Sequence, residues 1–153
     1  ATSRKRKRLL DAHRFPGFTP RDDIHGIFGD PRARVFLLIG AQKNRLQGLR
    51  ARTYLVDDRT VRRARDLFCA DTRIYLEFEV RRIRCSCTGK VRREHLDFLA
   101  DNPLYTKRFA WFVGRRCRSS TIKDVAKELN LHWGAVKELE KQYMRNPSLY
   151  APT

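Results

Sequence analysis

From Thr72 to Arg81 the chain alternates. Ile74, Leu76, Phe78 and Val80 face one way; Tyr75, Glu77, Glu79 and Arg81 face the other. A period of two is that of a half-buried strand. The segment TVRRARDL precedes it across the short connection Phe-Cys-Ala-Asp, so the two runs predict a β-hairpin. Alternation slips at Arg81-Arg82-Ile83, which predicts a bulge or the strand end. Upstream, VFLLIGA (Val35 to Ala41) is an apolar run of strand length, far too short to span a bilayer. Residues 1–34 show repeated turn signals in FPGFTPRDDIHGIFGDPRAR and no helical period. They read as an extended, loop-rich basic tail.

After CSCTGK the period changes. EHLDFLADNP predicts a short helical turn stopped by Asn102-Pro103. Thr106 caps a predicted helix, KRFAWFVGRRCR, with Phe109, Val113 and Cys117 on one stripe and Ala110 beside them. Thr121 to Asp124 fits a capping box with Asp in place of Glu, opening a helix that turns Ile122, Val125, Ala126 and Leu129 inward. Leu131 follows the turn, and Val136, Leu139 and Tyr143 form the inward stripe of a last helix. Ala126 is the small residue expected where two helices cross, and Asn130 suits a left-handed turn position next best to glycine. This is the helix-turn-helix pattern; an ordinary helical hairpin is the plainer alternative. The predicted fold class is α+β. It has a tail over 1–34, a small β-hairpin subdomain over 35–90, a three-helix, helix-turn-helix bundle over 91–145 and a second tail over 146–153.

Charge then narrows the partner. The 153 residues hold 34 Lys and Arg against 17 Asp and Glu, a net charge of +17. Such a surplus attracts polyanions, because each phosphate neutralised releases a condensed counterion. Double-stranded DNA is the expected partner; no Trp- or Leu-rich amphipathic anchor suggests a membrane. The basic run Arg4 to Arg8 reads as a solvated tail touching phosphates, or as an address signal. In the last helix His132, Trp133 and Lys137 lie off the apolar stripe, with Lys141 further along. Lys137 and His132 are placed to reach base edges, and Trp133 to contact DNA or else to anchor against Phe112. Arg115, Arg116, Arg118, Thr121 and Lys123 are the expected phosphate contacts. A basic RNA- or ribosome-associated protein is the alternative class, and a stand-alone helix-turn-helix transcription regulator a further one.

Candidate chemistry is sparse. Cys85-Ser-Cys87 suggests a remnant of a zinc knuckle, yet a proper knuckle spaces its thiolates by two residues. Cys69 sits alone in the hairpin turn and Cys117 on an apolar stripe. Glu77 and Glu79 read as charge partners for arginines, as do Asp57 and Asp58. No Ser-His-Asp or Cys-His arrangement and no phosphate-cradling glycine loop is found.

From about Arg59 to Arg145 the sequence resembles the N-terminal part of bacterial insertion-sequence transposases of the ISL-three type. DTRIYLEFEVRRIRC, DFLADNP, TKRFA, GRRC and TIKDVAKEL carry the resemblance. It implies a zinc ribbon with two CxxC pairs before the helix-turn-helix. After it the family has an RNase H-type domain whose three acidic residues hold divalent metal, cutting and rejoining DNA at terminal inverted repeats. Here the first CxxC pair is absent, the second is Cys85-Ser-Cys87 with Thr88, and Thr153 falls where the catalytic domain would begin. The resemblance therefore implies a truncated, non-catalytic module that recognises inverted repeats, with a degenerate zinc ribbon. It would be cytoplasmic and nucleoid-associated in a bacterium, without a small-molecule substrate and with homodimer formation left open. Zinc on Cys85 and Cys87 is the one metal suggested.

Overall fold

The computed structural model describes residues 6–41, 54–86 and 88–150. A 3-10 turn (Leu9–His13) precedes β1 (Phe18–Ile27), β2 (Asp30–Gly40), β3 (Tyr54–Cys69), β4 (Thr72–Cys85) and β5 (Val91–Arg93). Three helices follow, α1 (Lys107–Arg116), α2 (Ile122–Leu129) and α3 (Trp133–Arg145), then a 3-10 turn (Pro147–Tyr150). The strand order is β1-β2-β4-β3, with β5 paired to β4. The fold is α+β, as expected. A five-stranded sheet replaces the small hairpin subdomain, and the zinc-ribbon likeness is not confirmed.

The chain divides into two compact units. One holds residues 1–63 and 76–95; the other holds 64–75 and 96–153. The division falls within β3 and β4, so the end of the hairpin groups with the helices rather than with a separate 35–90 subdomain.

In the first unit, much of the expected N-terminal tail is strand. β1 and β2 are antiparallel partners, running from Phe18↔Gly40 to Ile27↔Asp30, and Gly29 closes their turn at φ 81°. The turn signals misled for a physical reason. β1 comes first in the strand order, where Pro20 is tolerated without a ladder N–H, and register shifts absorb Arg21-Asp22-Asp23. Of its ten residues only Phe18 and Pro20 are buried, so no apolar alternation marks it. Leu38, Leu76 and Phe78 are buried in the core, and Phe18 meets Phe78 edge-to-face at 6.3 Å. The β4 alternation is as expected, and its phase changes where expected: Val80, Arg81 and Ile83 are buried and Arg82 exposed.

In the second unit Phe109, Val113, Val125, Val136 and Leu139 are fully buried in one core, joined by Ala126, Leu129 and Tyr105. Gly114 makes the closest crossing. A Cβ there would lie 2.2 Å from Cγ of Tyr143, so α1 meets α3 at a residue without a side chain. Ala126, the crossing residue expected from sequence, is buried in the same core at 7% exposure. The short stretch 147–150, expected as tail, is a 3-10 turn.

Candidate nucleic-acid interface

The helix pair is built by short-range rules. Thr121 accepts from the Asp124 N–H at 3.1 Å, and its hydroxyl donates to Asp124 Oδ2 at 2.7 Å. The cap is present, with the Asp carboxylate bonded to the hydroxyl. α2 stops at Asn130, which is left-handed at φ 51°, ψ 54°. The Leu131 N–H reaches the Ala126 carbonyl at 2.9 Å and the Asn130 N–H that of Lys127 at 3.3 Å. These two bonds form a Schellman motif, satisfying carbonyls that the helix end would orphan. α3 begins two residues later. His132 caps it, Nδ1 accepting from the Gly134 N–H at 3.1 Å. With Nδ1 committed, the neutral ring carries its proton on Nε2 and offers a donor outward. A side chain at Gly134 would crowd this cap, since a Cβ would sit 3.1 Å from Nδ1.

α3 presents two faces. Val136, Leu139 and Tyr143 are buried, whereas Trp133, Lys137 and Lys141 are exposed. Spacing of four places those three on one side of the helix. Trp133 is 49% exposed, so it is no anchor in the core. Lys137 Nζ lies 4.7 Å from the centre of its ring, a cation–π contact that orders both side chains. The helix carries Lys137, Lys141 and Arg145 against Glu138 and Glu140, nearly balanced in charge. Such a helix suits base edges, with acceptors as well as donors, better than it suits phosphates alone.

The remaining expected contacts divide. Arg118 and Lys123 are exposed. Arg115 lies over the Trp111 ring at 5.0 Å. Arg116 is ion-paired with Glu128, its guanidinium Nη2 3.0 Å from Oε2 and Nε 3.1 Å from the same oxygen. This ties α1 to α2. Thr121 is committed to its cap.

Sequence reasoning missed a buried lock beside the bundle. Asp66, fully buried near the end of β3, accepts from the Thr106 hydroxyl at 2.8 Å and from Arg108 Nε at 2.7 Å, and pairs with Arg108 Nη2. The same Thr106 hydroxyl accepts from the Phe109 N–H at 3.3 Å, capping α1 as expected. Backbone bonds from Arg65 N to Leu104 O (2.8 Å) and from Thr106 N to Arg65 O (3.0 Å) close the arrangement. Asp66 thus faces both the positive end of α1 and a guanidinium. Only the cap residue Thr106 carried a sequence signal.

Zinc needs about four ligands in a tetrahedron. Among the described residues no group of three His, Cys, Asp or Glu side chains converges. Cys85 is half-buried at the end of β4, and Cys87 lies outside the described residues. Burial, and then the Glu140 carboxylate, pushes the Cys117 thiol up, keeping it a neutral core group. Two of the four acids have the expected charge partners, Glu77 with Arg63 at 2.8 Å and Glu79 with Arg59 at 3.6 Å, while Asp58 accepts from the Arg59 backbone N–H at 2.7 Å. The Asp57 side chain lies outside the described ones. No helix among the described residues is long and apolar enough to cross a membrane.

Three helices around one core, the second and third joined through a left-handed asparagine, define a helix-turn-helix domain. Residues 94–144 match the helix-turn-helix domain of transposase family ISL3. Over 95 residues the chain is 36% identical to the transposase for insertion sequence element IS1001 of Bordetella parapertussis. That match covers 62% of this chain and 23% of the relative, so the chain spans about a quarter of the relative's length. No solved structure matches. The resemblance to insertion-sequence transposases of the ISL-three type holds.

Proposed function

We propose that residues 94–144 form the DNA-reading module of a transposase and recognise the terminal inverted repeats of an insertion element. The observation that carries this reading is the outer face of α3, where Lys137 is held over an exposed Trp133 while the opposite face is buried. α3 is about 20 Å long at 1.5 Å per residue, enough to lie along a major groove. In this reading Lys137 and the Nε2 donor of His132 meet base edges, Trp133 packs on a thymine methyl, and Lys141 extends the contact. Arg118, Lys123 and Arg115 hold phosphates and set the register. Arg116 acts through its pair with Glu128, placing α1 against α2. This module binds and positions DNA; cutting and rejoining belong to the family's catalytic domain.

The test is a titration of the chain against an inverted-repeat duplex and a scrambled duplex of equal length, at two salt concentrations. A preference of a hundredfold, about 2.7 kcal/mol, that survives added salt is expected. Lys137→Ala removes about 1–3 kcal/mol from repeat binding and little from scrambled binding. Equal binding to both duplexes, lost with salt, would overturn the reading and favour the RNA- or ribosome-associated alternative.

A further inference from the structure

We infer that Glu138 reads a cytosine in the recognised duplex, an inference that rests on α3 being the helix that enters the major groove. α2 and α3 carry four acids, Asp124, Glu128, Glu138 and Glu140. Three are committed within the bundle. Asp124 Oδ2 accepts from the Thr121 hydroxyl at 2.7 Å, and Glu128 Oε2 lies 3.0 Å from Arg116 Nη2. Glu140 is half-buried and faces the Cys117 thiol beyond the end of α1. Glu138 is exposed, and among the described residues its carboxylate has no hydrogen bond or ion pair. Lys141, three residues on, stands at a spacing that permits a pair and does not form one.

Position gives this carboxylate a direction. Gly134, Glu138, Lys141 and Arg145 are spaced by four, three and four, which is one stripe of a helix. That stripe borders the one carrying Trp133 and Lys137 and lies away from the buried Val136, Leu139 and Tyr143. Helical side chains lean over the preceding turn, so that of Glu138 is directed over Gly134. Gly134 has no side chain to block it; a Cβ there would meet the His132 ring, 3.1 Å from Nδ1. The acceptor is therefore directed to the N-terminal end of α3, the end that reads bases in such domains. An ionised carboxylate only accepts hydrogen bonds. At its major-groove edge cytosine offers the N4 amine alone. Adenine sets N7 beside its amine, guanine presents two acceptors, and thymine an acceptor and a methyl. A carboxylate on this face thus matches cytosine better than any other base. It also stands near phosphates, where its charge weakens non-specific binding by a chain of net charge +17. Such a residue sets specificity by repulsion as well as by attraction.

The experiment titrates the full chain, as parent, Glu138→Ala and Glu138→Gln, against three kinds of probe. These are the inverted-repeat duplex, a set in which each base pair is replaced in turn, and a scrambled duplex. In the parent, replacing one particular C·G pair costs about tenfold in affinity, the size of one base contact. Glu138→Ala removes the penalty at that pair and keeps the penalties at the others. It binds the scrambled duplex as tightly as the parent or more tightly, because a repulsion has gone. Glu138→Gln moves the preference at that pair to adenine, whose N6 and N7 an amide reads together. The side chain is exposed, so both variants melt within a degree or so of the parent. A sequence preference in the parent that Glu138→Ala leaves unchanged at every pair overturns the inference alone. So does a weakening of equal size on every duplex, scrambled included. A parent that binds repeat and scrambled duplexes alike overturns the helix-turn-helix reading itself, and this inference with it.

Discussion

The helical unit and the sheet unit are ordered by interactions of different reach. Each helix opens on a capping side chain within its own first turn: Thr106 to the Phe109 N–H, Thr121 to that of Asp124, His132 to that of Gly134. α2 closes on Asn130 within four residues of its partner carbonyls. In the first unit β1 is placed by pairing Phe18 with Gly40, and nothing within β1 itself announces a strand. Structure set by near neighbours can be read from a window of sequence. Structure set by partners far along the chain cannot, because the window holds only half of each pair.

The largest expected effect breaks this division from the helical side. Asp66 lies 40 residues from Thr106 and 42 from Arg108. Asp66→Ala leaves the Arg108 guanidinium partly buried without its carboxylate, and loss of one partner of a buried pair costs about 3–5 kcal/mol. Urea unfolding followed by the fluorescence of Trp111 and Trp133 measures it. Thr106→Ser, which keeps both hydroxyl bonds, should cost far less. A loss below about 1 kcal/mol in Asp66→Ala would mean that water replaces the carboxylate, and that the helices stand on short-range signals alone.

Gly114→Ala comes next. The new Cβ would sit 2.2 Å from Tyr143 Cγ, and 2.4 Å from its Cβ, so α1 and α3 must separate. Overpacking of this kind costs about 1–3 kcal/mol. A smaller side chain at 143, as in Tyr143→Leu, should return part of the loss in the Gly114→Ala background. Equal stability of Gly114→Ala and the parent would show that the crossing gives way freely.

These two positions mark where the sequence was legible and where it was not. Fold class, the β3–β4 hairpin, the caps at Thr106 and Thr121, the turn at Asn130 and the inward stripes were all readable, since each is a local spacing. Gly114 carries no local signal of its role inside KRFAWFVGRRCR; only the position of Tyr143 shows it to be a crossing. Asp66 carries no local signal of burial, because its partners Thr106 and Arg108 lie 40 and 42 residues further on. Of the interface residues, Trp133, Lys137 and Lys141 were legible as the complement of an apolar stripe. The pairing of Arg116 with Glu128 was not, because their separation of 12 residues spans a turn whose angle no spacing gives. The strands in 18–40 were hidden by proline, glycine and aspartate at positions where an edge strand with bulges accepts them.

The smallest effect sharpens the comparison at Asn130. Its left-handed backbone, φ 51°, ψ 54°, carries a modest penalty for any Cβ, least for Asn among ordinary residues. Asn130→Gly should therefore be neutral or stabilise by about 0.5 kcal/mol, and Asn130→Ala should destabilise by about 1 kcal/mol. Neither change touches the outer face of α3, so the ratio of repeat to scrambled binding should stay constant in both. The informative measurement is Asn130→Ala combined with Asp66→Ala. If the helical turn and the buried carboxylate act independently, the two losses add within about 0.3–0.5 kcal/mol. A larger departure would show that the turn depends on the lock at Asp66, and the sequence signals that look local would then owe part of their strength to a partner more than 60 residues away in the chain.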